Sequence, residues 1–84
     1  MTWQVFFTRS AEKELARLSG DIKIRVARAI RSLEEKPVPP NATRLKARSE
    51  FRIRVGDYRV LYTLDHAAHA LTISAIGHRR EVYR

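Results

Sequence analysis

The hydrophobic pattern of this chain changes period once, and proline marks the change. Ile22, Val26, Ala29, Ile30 and Leu33 return at helical spacing on one face, while Lys23, Arg28 and Arg31 point away from it. From Phe51 onward the period is two. Phe51, Ile53 and Val55 alternate with Arg52 and Arg54, and Tyr58, Val60, Tyr62 and Leu64 alternate with Arg59, Leu61 and Thr63. One segment cannot satisfy both periods, so the chain divides into a helical part and a sheet part. Pro37-Val-Pro-Pro40 closes the helical part, because proline lacks the N–H a helix needs and biases its predecessor away from helix.

The remaining elements follow from local signals. Trp3, Val5 and Phe7 alternate with Gln4 and Phe6, a short strand. Thr8 or Ser10 can cap a helix over Ala11 to Leu18, with Ala11, Leu15 and Leu18 inward. Gly20 suits a left-handed helix end, and Asp21 can cap the second helix. So short a turn predicts an antiparallel helical hairpin. Asn41 to Glu50 is polar and basic and reads as an irregular connection. Gly56-Asp57 fits a two-residue hairpin turn, and Asp65 to Ala70 a second turn. Leu71 to Ile76 forms the last strand; Gly77 breaks it, and a polar tail runs from His78 to Arg84. The expected fold is α+β: an N-terminal strand, a two-helix antiparallel hairpin on one sheet face, then a three-stranded antiparallel meander. At 84 residues the chain is expected to be a single domain, residues 1–84.

Charge narrows the partner. The net charge is +8, and arginine outnumbers lysine 13 to 4. Arginine's planar fork matches phosphate and stacks on bases, so the bias points to a polyanion; a merely solubilising surface is the alternative. There is no cysteine, no run of membrane-spanning length and no basic leader before the opening apolar stretch. The expectation is a cytoplasmic protein without membrane association, disulfides or thiolate metal sites. His66 and His69 resemble a ligand pair but lack further donors, and no metal or cofactor is expected.

The hairpin turn sets up a basic cluster. With Gly56-Asp57 as the loop, Val55 faces Tyr58 and Arg54 faces Arg59, and directly opposed residues share a sheet face. Arg52 joins them through the two-residue period. Like charges so opposed destabilise a sheet, which points to an anion site; a solvated face with snorkelling arginines is the alternative.

Phe51-Arg-Ile-Arg-Val-Gly-Asp-Tyr-Arg-Val-Leu-Tyr62, followed by Ile76-Gly-His-Arg-Arg-Glu-Val-Tyr83, resembles the RelE branch of the RelE/ParE toxins. The likeness extends over nearly the whole chain, including Ala11-Glu-Lys-Glu-Leu15 and the proline-rich helix stop. It implies a compact RelE-like ribonuclease fold and the toxin of a type II toxin–antitoxin system. RelE-type toxins are mRNA interferases that cleave the exposed codon in the ribosomal A site and inhibit translation. The implied partners are ribosome, mRNA and a cognate antitoxin, whose acidic amphipathic segment would form a toxin–antitoxin hetero-oligomer. Arg52 and Arg54 match two basic strand positions that are often lysine in the family. Arg59 matches the arginine after the hairpin, and Arg79 the one following the strand end. Tyr83 matches a terminal tyrosine that stacks on or orients the target nucleotide.

Metal-free RNA cleavage by the 2′-hydroxyl needs a base, charge neutralisation at the phosphorane and an acid for the departing 5′-oxygen. Arg59 and Arg79 suit the second role, and Arg79 the neighbourhood of the leaving oxygen. Arg52 and Arg54 cannot give up a proton, so they would act by lowering the pKa of the hydroxyl. His78 is a catalytic candidate because histidine titrates near neutrality; a structural role is the alternative. Glu50 and Glu81 could each serve as a carboxylate base or lie in a surface ion pair. Arg44, Lys46, Arg48 and Arg80 are expected to bind substrate. Two other functions stay open: a ParE-like inhibitor of DNA gyrase without nuclease chemistry, and a degenerate toxin retaining only antitoxin binding.

Overall fold

The computed structural model of the protein describes residues 2–45 and 50–78. Strand β1 spans Gln4–Phe7, helix α1 Arg9–Arg17 and helix α2 Gly20–Ser32. Strands β2 (Thr43–Arg44), β3 (Glu50–Val55), β4 (Tyr58–Asp65) and β5 (Ala70–His78) follow. They form one sheet of order β1-β5-β4-β3-β2, in which β1 pairs with β5 in parallel and every other pair is antiparallel. The expected meander is therefore the centre of a five-stranded mixed sheet. Among the described residues no helix is long and apolar enough to cross a membrane.

The helices share one sheet face, α1 against β5 and β1, α2 against β3. Ala11, Val26, Ile30 and Leu33 meet Phe51, Ile53, Val55, Val60, Tyr62, Leu64, Leu71, Ile73 and Ile76 in the core. Those are the inward positions of both periods, so hydrophobic burial alone explains why the helices lie on this face. Thr8 is the cap of α1: its Oγ1 accepts from the Ala11 N–H at 3.1 Å. Gly20 takes a left-handed φ of +63° but opens α2 and does not cap α1, whose C-cap is the extended Leu18; Ser19 holds the N-cap position of α2, and Asp21 lies in its first turn. Gly56 has φ +61° and Asp57 does not turn positive, which fits a type II′ hairpin with glycine first.

Two expectations are corrected. The connection from Asn41 to Glu50 is not wholly irregular, since Thr43 and Arg44 pair with Arg52 and Phe51. Gly77 does not break the last strand; β5 continues through it to His78, with Gly77 opposite Arg59. Ahead of Gly77 the strand carries a bulge. Leu61 pairs with Ala75 but Tyr62 with Ile73, which leaves Ser74 as the extra residue. Several bonds hold it. Ser74 Oγ donates to the Leu61 carbonyl at 3.2 Å, and its own carbonyl accepts from Thr8 Oγ1 at 3.2 Å. Just beyond, the Ile76 N–H donates to Glu14 Oε1 at 2.8 Å, so helix α1 satisfies the sheet where β1 has ended.

Tyr62 is fully buried, and its hydroxyl donates to the Pro37 carbonyl at 2.7 Å, tying the proline segment to the sheet. Burial pushes the phenol from its ordinary 10.0 up to about 12. The fold favours the neutral form. Its contribution to stability is therefore whole below pH 10.0 and is lost as pH rises through about 12. Tyr62→Phe is expected to cost about 1 kcal/mol in urea unfolding at pH 7. It should also remove a tyrosine step near pH 12 from an ultraviolet titration.

Candidate functional site

The β3–β4 register assembles the basic cluster. Arg54 pairs with Arg59, Val55 with Tyr58 and Ile53 with Val60. Since Ile53, Val55, Val60 and Tyr62 are buried under the helices, Arg52, Arg54 and Arg59 stand on the opposite face, as the alternation predicts. Arg52 is half-buried, and its Nη2 donates to Thr43 Oγ1 at 3.3 Å. Arg54 is exposed. Arg59 is the central group: its Nε and Nη1 are buried and have no acceptor among the described residues.

The rows around Arg59 explain why. Its own row is Arg54, Arg59, Gly77, and the next is Thr43, Arg52, Leu61, Ala75. Neither contains a carboxylate. Gly77 has no side chain, so β5 places none beside Arg59 in that row, and glycine in a strand often marks a place where a ligand approaches backbone closely. A buried donor without a partner costs on the order of 1–3 kcal/mol, and the opposed Arg54 adds like-charge repulsion. An anion would relieve both, and the guanidinium fork fits two phosphate oxygens. The row beyond holds Glu50, Thr63, Thr72 and Phe6, with Glu50 the one carboxylate there.

His78 is not brought to this cluster. It pairs with Tyr58, which shares a face with Val55, so its side chain leaves on the helix side. Its ring meets that of Tyr58 edge-on at 5.7 Å. The bulge at Ser74 is responsible, because one extra residue inverts the faces of everything after it. His78→Ala is accordingly expected to leave any cleavage rate within about tenfold of wild type, below the usual worth of a general acid or base.

Arg44 also lies on the other face. It pairs with Phe51, and its guanidinium sits 5.8 Å from the centre of that ring. Arg79, Arg80 and Tyr83, with Lys46 and Arg48, lie outside the described residues, as does Glu81. His66 and His69 both pack on Trp3, edge-on at 5.4 Å and stacked at 4.5 Å. Sequence reasoning passed over two residues that shape the cluster, Thr43 and Gly77. Both matter through pairings across strands, and periodicity carries no signal for either.

Comparison with known proteins identifies the family and the fold. The model of the ParE toxin of type II toxin–antitoxin systems matches residues 5–83. A chain of the RelBE2 toxin–antitoxin complex from Mycobacterium tuberculosis is 27% identical, with a TM-score of 0.81 over 94% of this chain and 100% of that one. A chain of the archaeal RelE–RelB complex from Pyrococcus horikoshii is 26% identical, with a TM-score of 0.84 over 98% of this chain and 100% of that one. The isolated RelE toxin of E. coli shares the fold at 15% identity, with a TM-score of 0.82 over 90% and 83% of the two chains. No curated protein sequence gives a significant match. With a family model spanning nearly its whole length and RelE toxin structures sharing its fold, the chain belongs to the ParE toxin family, within the RelE/ParE superfamily of type II toxin–antitoxin toxins.

Proposed function

We propose that this toxin is a RelE-type endoribonuclease that cleaves mRNA in the ribosomal A site. The observation that carries the reading is the convergence of Arg52, Arg54 and Arg59 on the helix-free face, with two buried nitrogens of Arg59 lacking acceptors among the described residues. In the reaction, the 2′-oxygen of one nucleotide attacks the adjacent phosphorus and the 5′-oxygen of the next leaves. Arg59 would hold the non-bridging oxygens as negative charge builds on them. Arg52 and Arg54 would bind flanking phosphate and make the 2′-hydroxyl easier to deprotonate. Arg79 and Tyr83 enter by family resemblance alone, Arg79 near the leaving oxygen and Tyr83 stacked on the nucleotide. With His78 on the far face, Glu50, on the arginine side of β3, would accept the proton.

A cognate antitoxin would silence the toxin in the cytoplasm. The net charge of +8 favours an acidic segment. An open groove of about 250 Å³ between β1 and the helices, lined by Val5, Phe7, Leu15, Ala27 and Ile30, would take its apolar side. The second reading is gyrase inhibition, favoured by the description of the matching family model. Induction in a bacterium separates the two. Prompt translation arrest with DNA supercoiling intact supports the nuclease; lost supercoiling with translation continuing supports the gyrase inhibitor and overturns it.

A further inference from the structure

The arginine cluster occupies one end of a sheet face that no described element covers, and the other end carries an aromatic ring in solvent. Phe6 is 47% exposed on β1. Its neighbours Val5 and Phe7 pair with the buried Leu71 and Ile73 and so face the helices, whereas Phe6 pairs with Thr72 on the arginine side. The other exposed large hydrophobics among the described residues lie elsewhere: Phe7 toward the helices, Ile24 on α2 and Val38 in the proline segment. Between Phe6 and Arg59 the floor consists of Thr72, Thr63, Ala75 and Leu61, short or apolar side chains without charge. The acids of this face stand off that path, Glu50 on β3 and Asp65 at the end of β4, where its Oδ1 accepts from the Ala68 N–H. Four residues along β4 and two strand spacings across separate the ring from Arg59, roughly 16 Å. A few nucleotides of extended single strand cover that distance.

Resting on the nuclease reading above, we propose that Phe6 is a stacking platform for a base of the bound RNA, a few nucleotides from the phosphate held at Arg59. Single-strand binding surfaces combine a basic track for the backbone with aromatic rings for the bases, and this face has both in one plane. The occupant is single-stranded RNA because a phosphodiester strand answers the arginines and the ring together. A protein segment covering Phe6 would have to carry acid groups over three converged arginines and a flat base-sized plane as well. Stacking is indifferent to base identity, so the platform adds affinity and register without fixing sequence.

The test uses the whole toxin and a short 2′-O-methyl oligoribonucleotide, which binds but cannot be cut by its own 2′-oxygen. Phe6 is exposed, so Phe6→Ala, Phe6→Leu and Phe6→Tyr should all fold, as circular dichroism will report. Phe6→Ala and Phe6→Leu are expected to weaken binding by about fivefold to a hundredfold, the worth of one base–aromatic stack, while Phe6→Tyr keeps it. An abasic nucleotide scanned along the strand should abolish the difference between wild type and Phe6→Ala at one position only. Equal affinity of wild type and Phe6→Leu overturns the platform, as does the same loss wherever the abasic nucleotide stands. A Phe6→Ala variant that weakens antitoxin binding and leaves RNA binding intact also overturns it, and assigns the ring to a protein partner. Failure of the wild-type toxin to bind RNA at all removes the nuclease reading itself. Intact RNA binding and cleavage in every Phe6 variant removes only the platform.

Discussion

Arg59→Ala is expected to slow single-turnover cleavage of ribosome-bound mRNA by roughly a hundredfold to a thousandfold, the usual worth of one donor aimed at developing charge. The same position should show the opposite effect on stability. Arg59 holds buried nitrogens without acceptors among the described residues and stands directly across from Arg54. Arg59→Met keeps the length of the side chain and removes the charge, and its urea midpoint is expected to equal or exceed that of wild type. A residue that costs the fold and serves the chemistry is the signature of a functional site. Arg59→Lys should recover only part of the rate, because a point charge cannot bridge two oxygens as the fork does. Wild-type cleavage by Arg59→Ala would remove this residue from the active site. A clear loss of stability in Arg59→Met would show that the guanidinium is held for structure instead.

Deleting Ser74 is expected to have the largest structural effect. The bulge lets β5 present Leu71 and Ile73 to the helices and then, three residues on, Ile76. Without the extra residue the strand returns to strict alternation, and Ile76, now 2% exposed, must leave the core or drag the first half of the strand out of register. Loss of one buried isoleucine alone costs about 2–5 kcal/mol, against a total stability of about 5–15 kcal/mol for a typical domain. A fall in melting temperature of more than about 10 °C should follow. Ser74→Gly keeps the bulge and loses only the hydroxyl bond to Leu61, so it should be far milder. An unchanged melting temperature in the deletion would show that something other than the bulge sets the face of Ile76.

Much of this protein is written locally. The helical period from Ile22 to Leu33 and the alternation from Phe51 to Leu64 each state which side chains turn inward, and the structure buries Val26, Ile30, Leu33, Ile53, Val60 and Tyr62 accordingly. Gly56 closes the hairpin with a backbone angle that glycine adopts freely, and a two-residue loop leaves one register. The opposition of Arg54 and Arg59 was therefore legible without coordinates.

What lay beyond local pattern was decided by pairings between distant segments. Nothing in Gln4–Phe7 names β5 as its parallel partner, yet that pairing turns Phe6 toward the arginine face. Nothing in Thr43 announces that it will accept from Arg52. The spacing of Leu71, Ile73 and Ile76 did carry a signal, two residues and then three. Read as a bulge, it would have turned His78 to the helix side with Tyr58, away from the face of Arg59. Periodicity reports each residue's environment relative to its own neighbours, and that determined the core and the arginine hairpin. Which strands meet, and where one of them carries an extra residue, depends on satisfying backbone hydrogen bonds and apolar burial across the whole sheet at once, and only the tertiary structure settles it.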